Sequence, residues 1–193
     1  KIHECVCSAF DRRDFSLDDT KQHLKSDYIL LAKEGDSILG FSSLIFDSPQ
    51  KVFNDSSLPI TQGAYFAAAV IAKEAHGKGI YSKLNTNRIS VALSKKDPLV
   101  FTRTQNPLVE TTITNGLRAR VNSGEISGYS LARHYIPNCY EQMLSKDPPP
   151  HSSDDEIQRE HDKLNIRAGD AYILIYSLDY GSKEEVLYTN NKL

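Results

Sequence analysis

The sequence predicts a single α/β domain, residues 1–193, built on a mixed, twisted β-sheet with helices on both of its faces. Three observations predict it. At 193 residues, 39% of them hydrophobic and 25% charged, the chain can fill one core of ordinary size and not two. Apolar runs of strand length and stretches with helical spacing both occur along it, separated by Gly, Pro, Asn and Asp. The most apolar segment, AYFAAAVIA at residues 64–72, leads through a short charged turn and two glycines into a helix, a strand-to-helix junction of the α/β kind.

Taken in order, Cys5 to Phe10 reads as the end of a helix, and Ser16 to Lys25 as a second one, with Ser16 as N-cap and Asp18 and Asp19 in its first turn. Tyr28 to Lys33 and Ser37 to Phe46 are strand-like and joined through Glu34-Gly35-Asp36, the spacing of an antiparallel hairpin. Residues 47–63, rich in Ser, Asp, Asn and Pro and without a period, read as a long loop. The central strand follows. Gly79 to Lys96 is a helix with Ile80, Leu84 and Val91 on one face, flanked by Tyr81 and Ala92, and Leu99 to Thr104 is the next strand. Asn106-Pro107 is a helix start and Asn115-Gly116 the matching stop. Residues 118–165 read as an irregular, proline-rich decoration. Within it, Asp147 to Ser153 is a linker and Ser153-x-x-Glu156 a capping box for a charged helix reaching Leu164. Asp170 to Tyr180 alternates as a strong late strand, and Glu185 to Tyr188 is a weaker one.

Composition excludes several functions. A formal net charge of -2 and a pI near 6.3 leave no global positive field for nucleic acid. The longest apolar run, Tyr65 to Ala72, is far short of the roughly 20 residues of a membrane helix. The opening KIHECVCSAF has no positive-then-apolar leader, and three cysteines, two of them in Cys5-x-Cys7, make a poor disulfide set; a reducing, cytoplasmic setting is expected. No metal is expected. Cys5 and Cys7 lack the second pair of a zinc site, and His151, Asp154, Asp155, Glu156, Glu160, His161 and Asp162 read as a solvated helix face.

The junction between residues 69 and 84 carries the chemistry. Gly77-x-Gly79 lets backbone approach a ligand, and the amides that open the next helix, helped by its dipole, suit an anionic oxygen. Between Lys73 and Lys96, the residues Lys73, Lys78, Lys83, Arg88, Lys95 and Lys96 against Glu74 give a net +5, a basic patch of pyrophosphate size. A dinucleotide fingerprint fits less well, because its third glycine would fall on Ser82 and four residues separate the strand from Gly77.

Helical start, hairpin, central strand, E-A-H-G-K-G-I-Y, helix, strand and then Asn106 together resemble the GNAT N-acetyltransferase superfamily, over roughly Ser16 to Leu117. Its loop pattern is Gln/Arg-x-x-Gly-x-Gly/Ala; Gly77 and Gly79 match, Glu74 departs at the first position, and His76 stands where arginine is common. The resemblance implies a mixed twisted sheet and acetyl-CoA as co-substrate. It implies that Ala69, Val70 and Ile71 lend backbone groups to the pantetheine arm, that His76, Gly77, Lys78, Gly79, Ile80 and Tyr81 cradle the pyrophosphate, and that Asn106 faces the arm, with Arg103 to Pro107 as a second wall. The activity implied is acetyl transfer to a primary amine, small-molecule or protein, by direct attack in a ternary complex. Late-strand pairing in the superfamily makes Asp170 to Tyr180 a candidate homodimer element.

The proton-transfer groups usual in the family are missing. The strand positions for an acidic base are Ala67, Ala68 and Ala69, and the place of the usual tyrosine acid is Ile113. Tyr129, Tyr135 and Tyr140, with His134 and Cys139, are the substitutes the sequence offers; solvent water is another. Two other functions stay open: a coenzyme A-binding module without turnover, and an unrelated nucleotide-binding α/β protein. The stretch Glu141 to Asp162 sums to -5 and would attract a cationic amine if it lies beside the acceptor's mouth.

Overall fold

The computed structural model describes residues 1–10, 17–140 and 148–181. Its elements are α1 (Ile2–Ala9), α2 (Leu17–His23), β1 (Tyr28–Glu34), β2 (Ser37–Asp47), α3 (Pro49–Phe53), β3 (Gly63–Ile71), α4 (Ile80–Ser94), β4 (Leu99–Thr104), α5 (Pro107–Asn122), β5 (Gly128–Ile136), α6 (Asp155–His161) and β6 (Ala171–Asp179). The strands form one six-stranded sheet in the order β1-β2-β3-β4-β6-β5. The β3–β4 pair is parallel and the others are antiparallel, so the sheet is mixed as expected.

Strand alternation sorts the side chains onto two faces. Leu44, Ala64, Phe66, Val100, Leu174 and Tyr176 meet Ile89 and Ala92 of α4 and Ile113 and Leu117 of α5. On the opposite face Tyr65, Phe101, Ile173 and Ile175 pack with Leu58 and with Val52 and Phe53 of α3. Cys5 and Val6 of α1 cover Phe41 and Val70 near the end of β3. Helices therefore flank both faces, and among the described residues no helix is long and apolar enough to cross a membrane.

Several elements differ from the sequence-based expectations. Residues 47–63 are not a bare loop: β2 runs to Asp47, and Ser48-Pro49 opens α3, the Ser48 hydroxyl accepting the Lys51 amide at 3.3 Å. This is the same cap-then-proline signal as Asn106-Pro107. Asn115-Gly116 does not stop α5, which continues to Asn122. Gly116 lies mid-helix where α5 crosses α4, and a Cβ there would collide with Ile89 Cδ1. The expected irregular segment contains β5, which among the described residues pairs only with β6. The cap of α6 is Asp154, whose carboxylate accepts the amides of Glu156 and Ile157, in place of Ser153. The face that α4 buries is Leu84, Asn85, Arg88, Ile89 and Ala92; Ile80 and Val91 are only partly covered. Asp170 to Tyr180 supplies β6, an interior strand with both edges paired. Ser16 and Glu185 to Tyr188 lie outside the described residues.

Candidate functional site

The β3–β4 ladder comprises only Ala64↔Val100 and Tyr65↔Phe101. Beyond it, β3 stays paired to β2 as far as Ile71 and β4 to β6 as far as Thr104. The two strands thus part in mid-sheet, leaving a cleft walled by backbone. A bulge contributes: Ser43 faces Ala68 and Leu44 faces Phe66, so Ala67 is an extra residue that bends β3 and raises its twist. Thr102 Oγ1 donates to the Phe66 carbonyl at 3.0 Å and Arg88 Nη1 to the Ala68 carbonyl at 3.1 Å, which holds the strand open on either side of the bulge. Ala69, Val70 and Ile71 continue the wall beyond them.

After β3 the chain makes a 3-10 turn, Lys73–Ala75, and reaches α4 through His76 and Gly77-Lys78-Gly79. Gly77 and Gly79 have φ of +77° and +70°, and a Cβ on either would meet nothing within 4 Å. Backbone conformation, not space, requires glycine there. Gly79 caps α4 without a side chain, and the Lys83 amide makes the first helical bond, to the Gly79 carbonyl at 3.2 Å. The amides of Ile80, Tyr81 and Ser82 precede that bond and point out of the positive end of the helix.

The basic patch is smaller than the sequence suggests. Lys73, Lys78 and Lys83 are exposed near this end, but Arg88 is buried, and Lys95 and Lys96 follow the far end of the 15-residue α4, about 22 Å away. Glu74, where the family pattern has Gln or Arg, accepts a hydrogen bond from Ser8 Oγ at 2.9 Å, and Ser8 Oγ accepts the Lys73 amide at 3.2 Å, pinning α1 to the loop. Its own backbone amide and the Ser8 hydroxyl hold the Glu74 carboxyl below its usual range. His76 Nε2–H donates to the Ile71 carbonyl at 3.0 Å and ties the loop to the end of β3. Across the cleft, Asn106 caps α5: its Oδ1 accepts the Leu108 amide at 2.9 Å, and its own amide donates to Thr104 Oγ1 at 2.9 Å.

The candidate tyrosines do not converge. Tyr129 lies against Tyr176 on the helical side, with its hydroxyl 3.5 Å from the Thr114 carbonyl. Tyr135, 52% exposed, donates to Asp170 Oδ2 at 2.7 Å, and that bond is the main reason its phenol is raised. Tyr140 stands near the cleft on the other face, with its hydroxyl donating to the Arg103 carbonyl at 3.1 Å and burial pushing its phenol well up. Cys139 is close to it, within electrostatic reach of Arg103 and Tyr65. Ile113 is fully buried in the core. Cys5, Cys7 and Cys139 are free thiols, and among the described residues no three His, Cys, Asp or Glu gather as a metal set. The acids of α6 sit with the helical layer, where His161 Nε2 and Glu110 Oε2 are 3.1 Å apart and Ser152 Oγ and Thr111 Oγ1 2.7 Å apart.

Sequence inspection missed the buried end of this site. Arg88 donates to Asn85 Oδ1 at 2.5 Å as well as to Ala68, and its guanidinium stacks 4.5 Å from the centre of the Phe66 ring. Burial works against its charge, and burial likewise raises the neighbouring Tyr81 phenol. The spacing from Leu84 to Arg88, four residues, was the one available sign that Arg88 shares the buried face.

No protein-family profile and no curated protein matches the sequence. Solved structures do match in fold. Chaetomium thermophilum Naa20, in complex with a bisubstrate analogue, aligns with a TM-score of 0.54 and 18% identity over 98% of this chain and 87% of that one. A Bacillus subtilis acetyltransferase in complex with CoA aligns at 0.51 and 14% identity, over 90% and 89% of the two chains. An agmatine N-acetyltransferase in its apo form aligns at 0.51 and 10% identity, over 92% and 88%. The chain has the fold of the GNAT acetyltransferases.

Proposed function

We propose that this protein is an N-acetyltransferase that takes acetyl-coenzyme A and a primary amine into one ternary complex. The observation that carries it is the parting of β3 and β4 after Tyr65↔Phe101, directly beside the uncapped amides that open α4. A strand edge with unmade backbone bonds suits an extended amide-bearing arm, and a glycine-led helix start suits a diphosphate. Two of the solved neighbours hold CoA or a bisubstrate analogue, which supports the same ligand.

When bound, acetyl-coenzyme A supplies an acetyl group activated as a thioester. The chain's residues bind and orient. The amides of Ile80, Tyr81 and Ser82 take the diphosphate with Lys78 nearby, and the backbone of Ala69, Val70 and Ile71 lines the arm opposite Thr104 to Asn106. An amide of this β3 segment is placed to donate to oxygen that gains negative charge during transfer. No carboxylate occupies Ala67 to Ala69 and no phenol occupies Ile113, so proton removal from the amine falls to solvent water and the rate rests on positioning.

The same two absences favour a second reading, a coenzyme A-binding module without turnover. Release of free thiol with any primary amine excludes it. The first test is thermal stabilisation by acetyl-CoA, CoA and NADH in parallel. At 100 times Kd a ligand adds about 2.7 kcal/mol, roughly 5–10 °C for a chain of this size. A shift with both coenzyme A species and none with NADH is expected. Gly79→Val, which forces a β-branched residue to positive φ, abolishes the shift. A shift with NADH alone makes the protein a nucleotide binder of another kind.

A further inference from the structure

Arg103 stands on β4 just past Phe101, the last residue paired to β3, and shares Phe101's face of the sheet, opposite α4 and α5. Its guanidinium lies 4.4 Å from the centre of the Tyr140 ring. Tyr140 is fixed in turn: its hydroxyl donates to the Arg103 carbonyl and its amide to the Gly169 carbonyl at 3.0 Å. Tyr65, stacked on Phe101 with ring centres 5.2 Å apart, completes an aromatic setting for the cation.

Among the described residues, this setting holds no anion against the guanidinium. Arg103 Nε is buried with no hydrogen-bond partner, and among the described residues no carboxylate lies within 4.0 Å of the guanidinium. Other covered arginines are committed: Arg133 to Glu110, Arg120 to Glu125 and Ser90, Arg88 to Ala68 and Asn85. The register carries an imidazole to the same face, since Arg103 and His134 both pair with Ile173, about 10 Å apart across two strand spacings, and His134 lies within electrostatic reach of the Asp55 carboxylate. The acidic residues of α6 belong to the opposite layer and cannot neutralise it.

A planar guanidinium fork held on an aromatic ring matches the two oxygens of a carboxylate, and partial burial strengthens that pair. We infer that the amine acceptor carries a carboxylate, bound by Arg103 where it stacks on Tyr140 at the mouth of the β3–β4 cleft. This rests on the acetyltransferase reading above, and it replaces the cationic amine that the acidic stretch suggested.

The test pairs each amine with its carboxylated counterpart: cadaverine with lysine, agmatine with arginine, and, for a peptide source, Ala-Gln-Ala amide with Ala-Glu-Ala. Thiol release gives kcat/KM. Binding of N-acetyl-lysine and N-acetylcadaverine in the presence of CoA is titrated separately by calorimetry. In the native chain the carboxylated member of a pair is favoured about tenfold or more. Arg103→Met brings the ratio near one, and Arg103→Lys, which keeps charge without the fork, falls between; far-UV circular dichroism and the urea midpoint of each variant report that it is folded. A ratio near one in the native chain, or one unchanged in both variants, overturns the proposal. Thiol release without carboxylate preference removes it and leaves the acetyltransferase reading. Carboxylate-selective binding that depends on Arg103, without thiol release from any amine, keeps it and removes turnover.

Discussion

Arg88 is 2% exposed and has no carboxylate at hand among the described residues. Its two hydrogen bonds contribute about 1.5–3 kcal/mol each and its stacking on Phe66 about 2, against several kcal/mol for burying an ion. These terms nearly cancel, so its role is positional: it holds the Ala68 carbonyl beside the Ala67 bulge. Arg88→Ala removes the donor and leaves a void against Phe66. Urea unfolding is expected to show a loss of roughly 2–4 kcal/mol; a change within about 0.5 kcal/mol means that the guanidinium is not anchored there. From the sequence Arg88 joined the lysines of a pyrophosphate-sized basic patch, because a basic residue declares its charge and not its side of the helix. Gly77 and Gly79 were legible for the opposite reason, since their constraint is local backbone geometry.

The hairpin β1–β2, strands β3, β4 and β6, and the starts of α4 and α5 are readable because their signals are local: a short glycine turn, runs of apolar residues, a cap followed by proline. What was hidden depends on partners. β5, GYSLARHYI, has one paired neighbour among the described residues and a mixed pattern of cover, so no clean alternation marks it. The length of α5 depends on Gly116, which reads as a stop until Ile89 of α4 is seen lying over it. That contact makes the two helices testable as a pair. Gly116→Ala gains helix propensity of about 1 kcal/mol but must displace Ile89 Cδ1, whereas in Ile89→Val that methyl is gone. Urea unfolding of the four chains is expected to give a double-mutant coupling of about 1 kcal/mol, with alanine better tolerated beside valine. Additive effects mean that the helices do not cross at this point.

At the scale of the molecule, Glu110 of α5 joins Arg133 of β5 and His161 of α6, with the carboxylate fully buried. Burial alone would raise its pKa, but hydrogen bonds from His161 and Arg133 outweigh that and hold it below the usual range. A carboxyl lowered on folding stabilises the protein above its unfolded value of about 4.3, and that contribution is lost as pH falls through the folded value. Glu110→Gln should therefore cost up to about 3 kcal/mol near neutral pH and progressively less in acid, as urea midpoints at several pH values will report. A gap that stays constant down to about pH 3 rejects the ionised Glu110 carboxylate as its source. The cleft has an effect on folding too. With only two residue pairs across β3 and β4, the sheet is expected to behave as two cooperative blocks, β1-β2-β3 and β4-β6-β5, coupled through side-chain packing on both faces. Amide exchange in the ligand-free chain would then show two separate slow cores. A molecule bonded to both cleft walls would fuse them into one unfolding unit, so occupancy would be read as cooperativity as well as a higher midpoint.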